Sequence, residues 1–219
     1  MNYNAKQVLD NYLTIKNNVV KKSANAKLLA VSKFHGMDKI QPLLDAGHKL
    51  FGESRLEESV DKWSPIRDKY EDLELHFIGG LQSRKIQKIV DFFDVIQSVD
   101  RVSIAEKISS SARAICKVQR IFIQINIGNE PQKSGIPPED FDVLYSKINK
   151  MENIKVEGIM CIPPNEDDVS SYFRKMHDIA SNFGFSQLSM GMSHDYELAL
   201  NYKATIVRVG SFIFGERSS

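Results

Sequence analysis

Residues 27–37 read KLLAVSKFHGM. The unbroken apolar run from Leu28 to Val31 has no alternation to mark a solvent side, which is the pattern of a parallel strand buried on both faces. The turn that follows, SKFHGM, lacks the GxGxxG that opens a doubly wound nucleotide-binding sheet, so a closed parallel barrel is the better reading. Upstream, Val8, Leu9, Tyr12, Leu13, Ile15 and Val19 recur at helical spacing and predict an amphipathic helix over 5–22. Downstream, strands are predicted at 49–52, 73–79, 94–99, 118–128, 154–160, 187–190 and 204–210. Helices are predicted between them at 37–46, 54–66, 82–92, 101–114, 139–151, 167–183 and 194–202, with Asp100 and Ser193 as N-caps of two. Eight strands at roughly 27 residues per unit fit a small (β/α)8 TIM barrel, whose size range starts near 200 residues. The extra N-terminal helix would take the place of the last helix. No linker or composition break divides the chain, so 1–219 is read as a single α/β domain.

Composition narrows the function. Of 219 residues, 29 are basic and 28 acidic, a net charge of +1 that offers no general field for nucleic acid or an anionic membrane. No stretch has the roughly 20 apolar residues of a membrane span, and the charged N-terminus is not a signal peptide, so a cytoplasmic protein is expected. Cys116 and Cys161 have no zinc or disulfide spacing, and the five histidines lack metal-site spacing, so no metal is expected.

In a barrel of this type, chemistry sits where strands end. Lys33 directly follows the first strand. On its own it reads first as a solvated lysine at a strand end, but partial desolvation in a barrel mouth lowers a lysine's pKa and exposes the amine lone pair for Schiff-base formation. After the seventh predicted strand, SMGMSHD at 189–195 brings Met190, Gly191, Met192 and Ser193 to the mouth. After the eighth, RVGS at 208–211 brings Arg208, Gly210 and Ser211. Small residues with free amides after these two strands are where barrels hold phosphate. A phosphate site facing a lysine describes an aldehyde cofactor carrying a phosphate, pyridoxal 5′-phosphate (PLP). Ser54, Asn126 and Met160 stand at other strand ends and are expected beside the ring. Lys133 in PQKSG is a loop lysine within reach of the mouth, while Glu57, Glu58 and Asp61 read as a solvated helix face and His76 as a barrel-wall residue.

AVSK at 30–33, AGHKLFGES at 46–54, HFIGGLQSRK at 76–85, QSVDR at 97–101, KSG at 133–135, SMGMSHD and VRVGSFIFGER at 207–217 together resemble the pyridoxal phosphate homeostasis protein family. That family resembles the barrel domain of fold-type III enzymes such as alanine racemase. The resemblance implies an aldimine between the cofactor and Lys33. It further implies phosphate contacts from Ser193, Gly210 and Ser211, with Arg208 near the pyridine nitrogen. Three positions depart from the family pattern: Ser54 and Arg84 replace asparagines, and Lys203 replaces a glycine.

The function expected is a PLP-binding protein of intracellular PLP homeostasis with little or no catalysis, partnered by PLP and by PLP-dependent apoenzymes, and monomeric. Only about nine residues follow the eighth predicted strand, so the extra domain that completes a racemase site is not expected. The alternatives are a PLP-dependent amino-acid racemase or decarboxylase with a base such as Tyr196, and a Schiff-base aldolase working without PLP.

Overall fold

The computed structural model describes residues 3–216. Arg217, which ends the VRVGSFIFGER motif, and the two chain ends of the 1–219 domain lie outside the described residues. Eight parallel strands close into a barrel in sequence order: β1 (Lys27–Val31), β2 (Leu50–Glu53), β3 (Glu74–Phe77), β4 (Val95–Val99), β5 (Gln119–Ile125), β6 (Ile154–Cys161), β7 (Gln187–Ser189) and β8 (Ile206–Val209). Closure comes from β1 against β8, with Lys27 opposite Ile206 and Ala30 opposite Val209. The helices are α1 (Ala5–Lys22), α2 (Met37–Asp45), α3 (Leu56–Trp63), α4 (Ile86–Phe92), α5 (Val102–Ala114), α6 (Phe141–Ile148), α7 (Ser170–Asn182), α8 (Tyr196–Asn201) and α9 (Ser211–Phe214). The chain thus has the (β/α)8 TIM-barrel fold.

Helix α1 starts at a capping box in which Asn4 and Gln7 each accept the other's backbone N–H at 3.0 Å. Its buried stripe, Val8, Tyr12, Ile15 and Val19, follows the helical period and packs α1 against α8, α9 and α2. It therefore covers the β8–β1 seam, as the extra N-terminal helix was expected to. Val8, Ile15 and Val19 each contribute on the order of 1.5–3 kcal/mol by leaving water.

The core has two parts. The large one lies between barrel and helices. The small one, Leu29, Val95, Phe122, Met160 and Ile206, fills part of the barrel interior. Strand periodicity puts His76, Gln97, Ser189 and Arg208 inside the barrel too, all 4% exposed or less.

Several predicted boundaries move. β5 stops at Ile125, not 128, because the Asn126 N–H donates to Ile136 O and the chain turns into a loop. Asp100 caps nothing: α5 begins after Arg101, to which the Asp100 carboxylate is hydrogen-bonded. Ser193 does not cap α8 either, since its hydroxyl is engaged by Ser211 and the residue preceding α8 is Asp195. α9 was not predicted at all. It is held by Lys39 Nζ donating to Phe214 O at 3.2 Å and Asn11 Nδ2 to Ile213 O at 3.4 Å.

Candidate cofactor site at the barrel mouth

Lys33 leaves β1 in a tightly braced turn. Ser32 N–H still pairs with Gly52 O of β2, and His35 N–H closes back on Ser32 O. Between them Phe34 takes a left-handed φ of 69°, a conformation that a residue with a Cβ adopts only when its surroundings impose it. The imposing groups come from β2 and α3. Glu58 Oε1 accepts the Phe34 N–H at 2.5 Å, and Lys62 Nζ donates to Ser32 O at 2.9 Å and to Glu53 and Glu58 at 3.0 Å each. Glu53, fully buried, also accepts from Ser32 Oγ at 2.7 Å and Trp63 Nε1 at 3.0 Å. The backbone on both sides of Lys33 is thus fixed by one buried ion-pair cluster. This corrects the reading of Glu58 as a solvated residue; Glu57 and Asp61 are exposed as expected.

A cavity of about 310 Å³ opens at this end of the barrel, lined in part by Lys33, Met160, Met192, Ser193, Arg208, Gly210 and Ser211. The structure thus gathers these expected site residues in one place. Ser211 Oγ donates to Ser193 Oγ at 3.0 Å, so the loops after β7 and β8 meet as a pair of hydroxyls. Gly210 is tight against β1: a Cβ there would lie 3.1 Å from Val31 O. Gly191 has a φ of +91°, and a Cβ on it would lie 2.6 Å from that of Ala199, so glycine alone lets the β7 loop pass over α8.

Four expected residues are not on the cavity wall. Met190 is fully buried in the layer between barrel and helices. Gly191 shapes the loop from behind. Asn126 spends its side chain on the β5 loop, donating to Glu130 O at 2.8 Å and accepting from Glu130 N at 3.1 Å. Ser54 presents its backbone to Gly79, where a Cβ would lie 2.2 Å from Ser54 O. Lys133 also lies off this wall. It donates to Pro163 O at 3.0 Å and borders a neighbouring space of about 240 Å³ that shares Ile78 and Ile162. Tyr196 is on the far side of α8, where its hydroxyl meets Asn18 and Glu197, so it is unavailable as a base in the mouth.

His35 and His194 also line the cavity and were missed. His35 stacks on Phe214 at 5.1 Å, and burial, with the charges of Lys39 and Lys62, lowers its pKa to about 4. His194 meets Phe212 edge-on at 4.8 Å. Nothing in their spacing marks them, because each follows a strand by way of a turn that only the fold defines.

Arg208 is the most informative group. It is 4% exposed, and burial pushes its pKa down, with Asp195 opposing at longer range. A guanidinium nevertheless stays cationic. Its hydrogen-bond partners are neutral oxygens: Nη1 donates to Ser189 Oγ at 2.9 Å and Nη2 to Cys161 O at 2.8 Å. Among the described residues no carboxylate forms an ion pair with it. The Cys161 thiol, pushed up to about 12 by burial, supplies no charge. A buried cation left without an anion, beside a cavity, fits a ligand atom that accepts hydrogen bonds. No group of three or more His, Cys, Asp or Glu among the described residues is arranged to hold a metal.

Comparison with known proteins gives the chain a family. The model of the family described as alanine racemase, N-terminal domain, matches residues 4–218. A pyridoxal phosphate homeostasis protein of Aquifex aeolicus (strain VF5) is 39% identical over 201 residues, 88% of this chain and 87% of that protein. PipY of Synechococcus elongatus, solved without PLP and with PLP bound, superposes with TM-scores of 0.88 and 0.87 at 29% and 28% identity. Both matches cover 95% of this chain and 100% of that one. Alanine racemase of Clostridium difficile 630 superposes with a TM-score of 0.76 at 18% identity, over 96% of this chain and 58% of that one, a likeness of fold alone. The chain belongs to the alanine racemase N-terminal-domain family and, within it, to the pyridoxal phosphate homeostasis proteins.

Proposed function

We propose that this protein binds PLP in the cavity at the barrel mouth through Lys33 and serves intracellular PLP homeostasis as a carrier, with slow turnover or none. The observation that carries the reading is the buried, carboxylate-free Arg208 in the same cavity as Lys33 and the Ser193–Ser211 hydroxyl pair. Burying a charge costs several kcal/mol unless it is compensated. Guanidinium only donates hydrogen bonds, so the group that completes it must accept, as an unprotonated ring nitrogen does. Hydroxyls and the close backbone at Gly210 suit a phosphate on the opposite side. The cofactor, when bound, supplies an aldehyde that condenses with a primary amine and releases water; Lys33 supplies the amine.

The same arrangement supports weak catalysis. A permanent cation at the ring nitrogen disfavours its protonation and so weakens the electron sink that carbanion chemistry needs. Racemisation also needs a second acid–base group facing the lysine. Among the described residues the cavity wall carries neither a tyrosine nor a carboxylate; besides Lys33 its acid–base side chains are His35, kept uncharged at neutral pH by a pKa of about 4, and His194, turned edge-on against Phe212. The barrel closes through β1 and β8 of the same chain, so its core needs no partner, which supports a monomer able to pass its cargo to PLP-dependent apoenzymes. No helix among the described residues is long and apolar enough to cross a membrane.

Purified protein mixed with PLP should absorb in the visible, and Lys33→Ala should abolish the band. Borohydride reduction followed by peptide mass measurement should place a pyridoxyl group on Lys33. A sugar-phosphate adduct in its place would convert the reading to an aldolase, and an unchanged spectrum in Lys33→Ala would end it.

A further inference from the structure

A polar chain runs the length of the barrel interior behind the cavity. Arg208 Nη1 lies 2.9 Å from Ser189 Oγ, which lies 2.7 Å from Gln97 Oε1. Gln97 Nε2 lies 2.6 Å from His76 Nδ1, and His76 Nε2 lies 2.5 Å from Glu74 Oε1. Glu74 Oε2 ends the chain on Arg120 Nη2, 2.8 Å away. Glu74 opens β3 and Arg120 is near the start of β5, so the chain connects the mouth to the opposite rim.

Donor and acceptor chemistry fixes the direction of every link. Arg208 can only donate, so Ser189 accepts from it and spends its own proton on Gln97 Oε1. That turns the Gln97 amide NH₂ toward His76 Nδ1, which must then be unprotonated. The one proton of a neutral His76 sits on Nε2 and points at the Glu74 carboxylate. The surroundings agree: burial lowers the pKa of His76, while the hydrogen bond from His76, with that from Arg120, brings Glu74 down to about 2.

Interior positions of such barrels are ordinarily filled by Val, Ile and Leu. Here Gln97 and Ser189 are fully buried and His76 is 2% exposed, a costly choice that succeeds only when each link is made. Two acceptors on different nitrogens, Ser189 Oγ and Cys161 O, fix the plane of the Arg208 guanidinium. We infer that Gln97 and Ser189, oriented by neutral His76, are positioning residues that aim Arg208 at the bound cofactor's ring. This rests on the reading of the cavity as a PLP site.

The test compares Ser189→Ala and Gln97→Met, which cut different links, with Ser98→Ala. Ser98 is a buried hydroxyl on β4 that bonds Gly79 O and lies outside the chain. Each protein is titrated with PLP, and the visible band position, its pH dependence and the cofactor Kd are read beside the apo-protein Tm. Both chain variants should shift the band or its pH midpoint the same way and weaken retention about tenfold, the loss of one hydrogen bond to a charged group. Ser98→Ala should lower Tm alone. In parallel, ¹⁵N NMR of the wild-type apo-protein should show His76 as the neutral Nε2–H tautomer at pH 7. An Nδ1–H or doubly protonated His76, or a band and Kd unmoved in both chain variants, overturns the inference. Wild-type protein that forms no visible-absorbing adduct overturns the cofactor reading and the inference with it.

Discussion

Two arginines point into this barrel from opposite ends, and their surroundings are opposite. Arg120, at the N-terminal rim, pairs with Glu74 at 2.8 Å and reaches Glu157 at 3.8 Å, with a third of its side chain exposed. Burial works against its charge, but the hydrogen bond to Glu74 and the charges of Glu74, Glu157 and Asp94 more than offset that, and its pKa is raised. Arg208, at the mouth, is almost fully buried, has two neutral oxygens for partners, and its pKa is lowered. Arg120 comes with its counter-charge. Arg208 does without one, and that contrast supports the proposal that it is kept for a ligand, with the folded chain carrying the cost.

Pairing, not location, is the variable, and Lys62 makes that the hardest test. It is at the mouth like Arg208, yet it is paired with Glu53 and Glu58, and its side chain is 7% exposed. Lys62→Met would leave the fully buried Glu53 uncompensated and should cost about 3–5 kcal/mol of folding stability, measured by chemical denaturation. It should also loosen the Lys33 turn, so borohydride trapping of PLP should slow. A loss below 1 kcal/mol would break the comparison.

Arg208→Met should do the reverse. Removing an unpaired buried cation leaves apo-protein stability within about 1 kcal/mol, while PLP retention falls on the order of 10–100-fold. Arg120→Met should leave PLP retention unchanged and cost about 1–2 kcal/mol, between the values for exposed and buried pairs. The rim pair also sets an acid limit. With Glu74 held near 2 in the folded state against an ordinary 4.5, its contribution is complete above pH 4.5 and is lost as the pH falls toward 2. Neutral, buried His76 acts with the same sign, since the unfolded chain takes up its proton first as pH falls. Denaturation midpoints followed from pH 7 downward should therefore fall without an intervening maximum from this pair.

The barrel was legible because its strands are continuous apolar runs between helical periods, and Lys33 because it follows the first run at once. The limits were equally physical. INIG continues the apolar pattern of β5, yet Asn126 has already turned to bind its own loop. SFIF is too short to show a helical period, so α9 went unread. An inward polar residue such as Gln97 looks in sequence like a solvent-facing one, because alternation is the same whichever face holds the water; His76 is buried in the barrel wall, as expected. The Glu58–Lys62 pair had a signal, its i, i+4 spacing, but the third member, Glu53, is brought in only by the barrel.

The smallest expected effect concerns Lys203, where the family pattern has glycine. Helix α8 ends in a Schellman motif: Lys203 N–H bonds Leu200 O at 3.2 Å and Ala204 N–H bonds Ala199 O at 3.1 Å. Lys203 holds the left-handed position of that motif with a φ of 66°. The same closure follows α2 at Gly47, α7 at Gly184 and α5 at Cys116, so the fold presents two glycines and two side chains in one conformation. A Cβ at Gly47 or Gly184 would meet nothing within 4 Å, which isolates backbone strain from packing. The left-handed conformation costs an L-residue about 1–2 kcal/mol, and glycine's greater freedom in the unfolded chain returns about 0.4–1 of that. Lys203→Gly should therefore stabilise by about 0.5–1 kcal/mol, a Tm rise of about 1–4 °C for a chain this size. Gly47→Ala should lose a similar amount. Neither should move the visible band, since both residues close helices and neither lines the cavity that holds Arg208.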